Sequence, residues 1–102
     1  MAEFVKVAGK DELLPGQGKA VSVNGKSIAL FNVKGEFFAV DDYCTHKGAP
    51  LHNGMLGNDS ITCEWHGATF DLKTGAVLSP PAAGGITAYE VRVNGDDVEI
   101  LL

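Results

Sequence analysis

One hundred and two residues suffice for a single domain, expected to span 1–102, and a chain of this length buries roughly two-thirds of the surface it exposes when unfolded. Thirteen Asp and Glu against eight Lys and Arg leave a formal net charge of −5; this argues against nucleic acid and anionic membrane surfaces, because phosphate binding needs a surplus of cations. No apolar run approaches the roughly 20 residues of a membrane helix, and MAEFVKVAGKDELL has no apolar h-region, so no membrane partner and a cytoplasmic location are expected.

In chain order, a weak helical period at Asp11 to Leu14 is cut short by Pro15-Gly16. Val21 and Val23 alternate with polar neighbours, Asn24-Gly25 turns the chain, and Ile28, Leu30 and Phe31 resume, which predicts a hairpin. The stretch AVSVNGKS within it has the loose form of a phosphate-binding loop. Such a loop follows a strand and opens a helix, whereas here strand residues follow, so that reading is rejected. Lys34-Gly35 predicts a second turn, into Glu36–Val40. Thr69-Phe70-Asp71 and Ala76-Val77-Leu78 flank a turn at Lys73-Thr74-Gly75. Tyr89, Val91 and Val93 alternate, Asn94-Gly95 turns, and Val98, Ile100 and Leu102 alternate back. Many short strands with tight turns predict an all-β sandwich or small barrel. The acidic pairs Asp41-Asp42 and Asp96-Asp97 either steer a basic partner or serve solubility alone.

The strand pattern breaks between Asp42 and Gly57 and again between Cys63 and Thr69. These breaks hold both cysteines, all three histidines, Pro50 and the sole tryptophan; reactive side chains cluster where regular structure yields to loops. Cys44 and His46, then Cys63 and His66, form a C-x-H and C-x2-H pair. Each half offers one thiolate and one imidazole. Two buried cysteines with two hydrogen-bonded histidines is the plain alternative, but the repetition of the pair speaks against it. A Cys44–Cys63 disulfide needs an oxidising compartment and leaves the histidines unexplained. A Cys2His2 zinc-binding module is chemically possible, although zinc fingers group thiolates together and imidazoles together, unlike this alternation. The remaining reading is an iron–sulfur cluster with two thiolates on one iron and two imidazoles on the other. His52 has no cysteine at ligand spacing and is expected to be an exposed loop residue, available at most for docking.

CTHKGAPL and CEWHGATFDLKTG resemble the two cluster-binding loops of Rieske [2Fe–2S] proteins, and with Ser79-Pro80-Pro81 they are similar to the soluble Rieske-type ferredoxins of bacterial ring-hydroxylating oxygenase systems. The resemblance implies the Rieske fold: three small antiparallel sheets with two cluster-binding loops at one tip. It implies one [2Fe–2S] cluster per chain, with Cys44 and Cys63 as thiolate ligands and His46 and His66 as imidazole ligands. Gly48 and Gly67 would let backbone amides approach the bridging sulfides. Pro80-Pro81 would cover the cluster, and Trp65 would shield it or simply pack. No catalytic residue is implied, since a terminal oxygenase needs a further mononuclear iron site. The implied function is one-electron transfer from a flavoprotein NAD(P)H reductase to a terminal oxygenase, by a monomer. The alternative partner set is that of a small Rieske subunit of another redox enzyme, such as assimilatory nitrite reductase.

Respiratory Rieske subunits carry a second cysteine in each loop, where this chain has Ala49 and Trp65. Their hydroxyl donors to the cluster sulfurs correspond to Ala68 and Phe70. Without those donors reduction is disfavoured, and a potential near the lower end of the Rieske range, roughly −150 mV, is expected.

Overall fold

The computed structural model describes residues 3–42, 51–63, 68–79 and 85–101. Its strands are β1 (Phe4–Gly9), β2 (Gly18–Val23), β3 (Lys26–Val33), β4 (Glu36–Asp41), β5 (Met55–Leu56), β6 (Ser60–Thr62), β7 (Thr69–Asp71), β8 (Val77–Ser79), β9 (Ala88–Tyr89), β10 (Val91–Asn94) and β11 (Asp97–Leu101). They form three antiparallel sheets, ordered β1-β11-β10, β2-β3-β4-β9 and β5-β6-β7-β8. This is the expected all-β architecture.

Turn chemistry places the hairpins. Asn24 and Gly25 have φ of 51° and 80°, and Lys34 and Gly35 have 54° and 92°. Positive φ at both central residues is the type I′ geometry, whose twist matches that of the flanking strands. The third hairpin differs from expectation by one residue. Asn94 pairs with Asp97 inside the ladder, so Gly95-Asp96 forms the turn. Gly95 has a φ of 63° and Asp96 is not in the positive region, the type II′ pattern that needs glycine first.

Two further differences come from tertiary pairing. The alternating run Tyr89, Val91, Val93 is divided at Glu90: β9 joins β4, whereas β10 joins β11. The weak helical period becomes a 3-10 turn at Lys10–Glu12, after which Leu13 is buried. Glu12 closes that turn by accepting from the Gly9 amide at 2.7 Å. That bond, then the hydrogen bond and charge of Lys19, lower its carboxyl pKa.

The central sheet is covered on both faces. Side chains alternate across a strand, so Ala29, Phe31, Val33, Phe38 and Val40 face the β5-β6-β7-β8 sheet in one buried cluster with Ile61, Phe70 and Leu72. Ile28, Leu30 and Ala39 lie on the other face, packed with Ala8, Leu13, Val98 and Ile100. Hence β3 reads as a nearly continuous apolar run, unlike a strand with one wet face. Each fully buried Leu, Ile or Phe contributes roughly 1.5–3 kcal/mol. Asn32 is the polar exception in the run. Its Nδ2 donates to the Leu13 carbonyl at 2.7 Å, and its Oδ1 accepts from the Gly35 amide at 2.8 Å.

Candidate metal centre

The loops begin and end on residues fixed by the sheets. Cys63 follows β6, and its amide donates to the Ala68 carbonyl at 2.7 Å. This bond joins the two ends of segment 64–67. Cys63 is a free thiol with 1% exposure, and Ala68 and Phe70 are wholly buried. Cys63 continues the alternation that turns Ile61 inward, while Ala68 and Phe70 do the same across the pairing of β6 with β7. All four belong to one apolar cluster. Cys63 is therefore directed inward beside methyl and phenyl groups, and Ala68 and Phe70 supply no hydroxyl to it.

The first loop is joined at its base by Asp42. Leu51 donates its amide to the Asp42 carbonyl. The Asp42 side chain is 1% exposed; it accepts from the His52 amide at 2.9 Å, from His52 Nδ1 at 2.9 Å and from Ser27 Oγ at 3.2 Å. His52 is thus half-buried and bonded to a carboxylate, which corrects the expectation of an exposed loop residue. Its sequence signal was hidden because the partner lies ten residues away.

Segment 80–84 is preceded by Ser79, paired with Thr69 in the β7–β8 ladder, and followed by residues held by hydrogen bonds. Ile86 donates its amide to the Gly75 carbonyl at 2.8 Å. A Cβ at Gly75 would lie 1.8 Å from the Ile86 oxygen, so only glycine permits this approach. Asp41 accepts from the Tyr89 hydroxyl at 2.7 Å and from the Thr87 amide at 3.4 Å. Burial, then the hydrogen bond and charge of Asp41, push the Tyr89 pKa up to about 12. Asp42 is thus engaged inside the fold, which removes it from the surface that partner steering or solubility would need, while the partly exposed Asp41 is bonded to Tyr89 and Thr87.

The positions Leu51, Cys63, Ala68 and Ile86, where the three segments meet the described fold, share one buried cluster. Of the expected ligands, Cys63 is placed by the structure. Cys44, His46 and His66 lie outside the described residues, as do Lys47, Gly48, Ala49, Pro50, Trp65, Gly67, Pro80 and Pro81. Thiolate is a soft ligand of the kind iron–sulfur clusters take, and Cys63 is the one expected ligand among the described residues, which hold no group of three metal-capable side chains.

The Rieske [2Fe-2S] domain model matches residues 3–90. The chain belongs to the Rieske [2Fe-2S] family. One [2Fe–2S] cluster per chain is the complement of this domain. The Rieske chain is similar to the biphenyl dioxygenase ferredoxin subunit of Pseudomonas sp. (strain KKS102), 41% identical over 93% of this chain and 88% of the relative. The solved ferredoxin of carbazole 1,9a-dioxygenase from Nocardioides aromaticivorans IC177 superposes with a TM-score of 0.90 at 30% identity, covering 95% of each chain. A carbazole 1,9a-dioxygenase ferredoxin solved in complex with its oxygenase gives 0.87 at 33% identity, over 95% of this chain and 91% of that one. A solved chain from Mycobacterium tuberculosis, named a putative NADH-dependent nitrite reductase small subunit, shares the fold alone, with a TM-score of 0.90 at 23% identity over 100% and 96% of the two chains.

Among the described residues, no helix is long and apolar enough to cross a membrane. The Rieske chain is an electron-transfer component rather than a catalyst, in keeping with relatives named as ferredoxin subunits.

Proposed function

We propose that this chain is the ferredoxin of a ring-hydroxylating oxygenase system, passing single electrons from a flavoprotein NAD(P)H reductase to a terminal oxygenase. The observation that carries this reading is the match to a dioxygenase ferredoxin subunit along 88% of that relative's length, at 41% identity. The whole chain, 1–102, acts as one domain, as a cytoplasmic monomer. Cys44 and Cys63 supply thiolates, and His46 and His66 supply imidazoles. When bound, the [2Fe–2S] cluster accepts and releases one electron at a time.

The chain's own residues provide the setting. Cys63 holds its sulfur in an apolar cluster with Ile61, Ala68 and Phe70, which limits water on that side. Because neither Ala68 nor Phe70 carries a hydroxyl, the thiolate keeps its electron density, and the reduced state gains no added hydrogen bond from them. That combination suits a donor of low potential.

Anaerobic purification should yield a red-brown protein with two irons and two acid-labile sulfides per chain, as a [2Fe–2S] centre requires. Reduction should give a Rieske-type electron paramagnetic resonance signal. Stoichiometric zinc without sulfide would sink the reading. Reduction by an oxygenase-system reductase, followed by reoxidation by its oxygenase, tests the partners. Tight copurification with a nitrite reductase large subunit would replace them.

A further inference from the structure

The buried carboxylate of Asp42 is used by none of the steps above, although it lies two residues before Cys44. Burying a carboxylate costs free energy unless hydrogen bonds replace its water, and an apolar residue would fill the space at less cost. Here the replacement is thorough. Asp42 receives Ser27 Oγ at 3.2 Å, the His52 amide at 2.9 Å, and His52 Nδ1 at 2.9 and 3.0 Å from its two oxygens. Its amide donates to the Ser27 carbonyl at 3.1 Å, and its carbonyl accepts from the Leu51 amide. Both Asp42 oxygens stand within hydrogen-bond distance of Nδ1, so the tautomer with hydrogen on Nδ1 is the one that donates to them.

The bonds to His52 and Leu51 join the residue that enters segment 43–50 to the residues that leave it. The Ser27 bonds tie the same point to the central sheet. Leu51 is itself wholly buried in the cluster that contains Cys63. His52 therefore reaches back to the residue that enters segment 43–50, and its neighbour Leu51 packs in the cluster of Cys63. Directional bonds of this kind select one geometry, where apolar packing tolerates several.

We infer that His52 is a positioning residue for the metal centre: its Nδ1–H to Asp42 fixes the two ends of segment 43–50, and with them the seats of Cys44 and His46. The inference rests on the reading of Cys44 and His46 as ligands. His52→Ala removes the donor. His52→Asn restores it, because the asparagine amide nitrogen stands close to where Nδ1 stands.

The test measures three things in wild type and both variants: hydrogen exchange of the Leu51 amide, the rate of iron loss to a chelator, and the resonance g-values with the midpoint potential. In His52→Ala, Leu51 exchange and iron loss should each rise about tenfold, the effect of losing one charge-assisted hydrogen bond. The g-values should shift or broaden and the potential should move. His52→Asn should return all of these toward wild type. The inference is overturned if His52→Ala changes none of them, or changes only exchange and iron loss while signal and potential stay put. It is equally overturned if His52→Asn is as impaired as His52→Ala, because the donor would then not be the agent. Should wild type carry no cluster, or hold it by other ligands, the ligand reading fails and the positioning role with it. Leu51 exchange would still report whether His52 joins the loop ends.

Discussion

The Tyr89 hydroxyl donates to Asp41 Oδ1 at 2.7 Å, while the neighbouring Asp42 carboxylate accepts from His52 Nδ1 at 2.9 Å. Adjacent residues of an extended chain project to opposite faces. Asp41 lies on the face that pairs Ala39 with Tyr89 and reaches the strand that follows segment 80–84. Asp42 turns to the other face and reaches the end of segment 43–50. The end of β4 thus holds, through two consecutive side chains, the residues that follow segment 43–50 and those that follow segment 80–84.

Tyr89→Phe should therefore loosen the strand after segment 80–84 without touching the first loop. The lost bond to a partly exposed carboxylate should cost about 1 kcal/mol, seen as a thermal midpoint lower by about 4–8 °C in a domain of this size. The pH dependence has a definite sign. A tyrosine pKa raised from 10.0 to about 12 means that the folded state holds the proton more tightly. Its stabilisation is complete below pH 10 and is lost as pH rises toward 12. Wild type should lose stability relative to Tyr89→Phe across that window; parallel curves from pH 9 to 12 would contradict the assignment.

Glycine substitutions should separate backbone strain from collision. Gly25 has a φ of 80° and an added Cβ there would meet nothing within 4 Å, so Gly25→Ala should cost only the left-handed penalty, about 1–2 kcal/mol. Gly75 has a φ of 79° and a Cβ there would strike the Ile86 carbonyl. Gly75→Ala should add about 1–3 kcal/mol of overpacking, and should speed iron release because Ile86 follows segment 80–84. Equal midpoints for the two variants would show that the Gly75–Ile86 approach yields without cost.

Phe70→Tyr tests what sets the potential. Phe70 is wholly buried in the cluster with Cys63, and respiratory Rieske proteins have a hydroxyl donor at the matching position. A hydrogen bond to a charged acceptor contributes roughly 1.5–3 kcal/mol. If about half of that arises only on reduction, the potential should rise by about 59 mV, one decade for one electron. Ala68→Ser should act in the same direction, and Ala68→Val should not raise the potential. A Phe70→Tyr protein with a full cluster and an unchanged or lower potential would shift the explanation to solvent access or total charge.

An electron exit beside segments 43–50 and 80–84, where the resemblance puts ligands and covering prolines, can be probed by charge. Lys47→Glu or Pro81→Glu should slow reduction by the reductase while leaving the visible spectrum unchanged. Asp96→Lys is the control. Asp96 sits in the β10–β11 turn beside Lys10, on the sheet across the central layer from Cys63. Equal damage from the control would mean that partners meet a different face.

Much of this arrangement is legible from residues alone, for physical reasons that differ by element. Asn24-Gly25 and Lys34-Gly35 announce their hairpins because positive φ is a local demand that few residues meet. The Cys/His spacing stands out because two thiols and two imidazoles in two short stretches have few other uses. By contrast, β5 and β6 are only two and three residues long, too short for alternation to show. β1 rests on Val5 and Val7 amid charges, and it exists because β11 is there to receive it. The break at Glu90 leaves the alternation in phase, so only the competing strands β4 and β11 decide where it falls. His52 and Asp42 find each other through the return of a loop, which no periodicity records.

The pairing of Phe4 with Leu101 and Val5 with Ile100 joins the first strand to the last. A ribosome delivers the chain from the N-terminus, so β1 emerges long before its partner exists. Until β11 follows, Ile28, Leu30 and Ala39 have neither shed their water nor gained the company of Val98 and Ile100 on that face of the central sheet. The second core can therefore form only once β11 has emerged, and contacts of such long sequence separation are slow to close. A nascent chain would present one finished apolar interior, around Phe31 and Phe70, and one bare one. The interval before β11 arrives is when this protein most needs protection from aggregation.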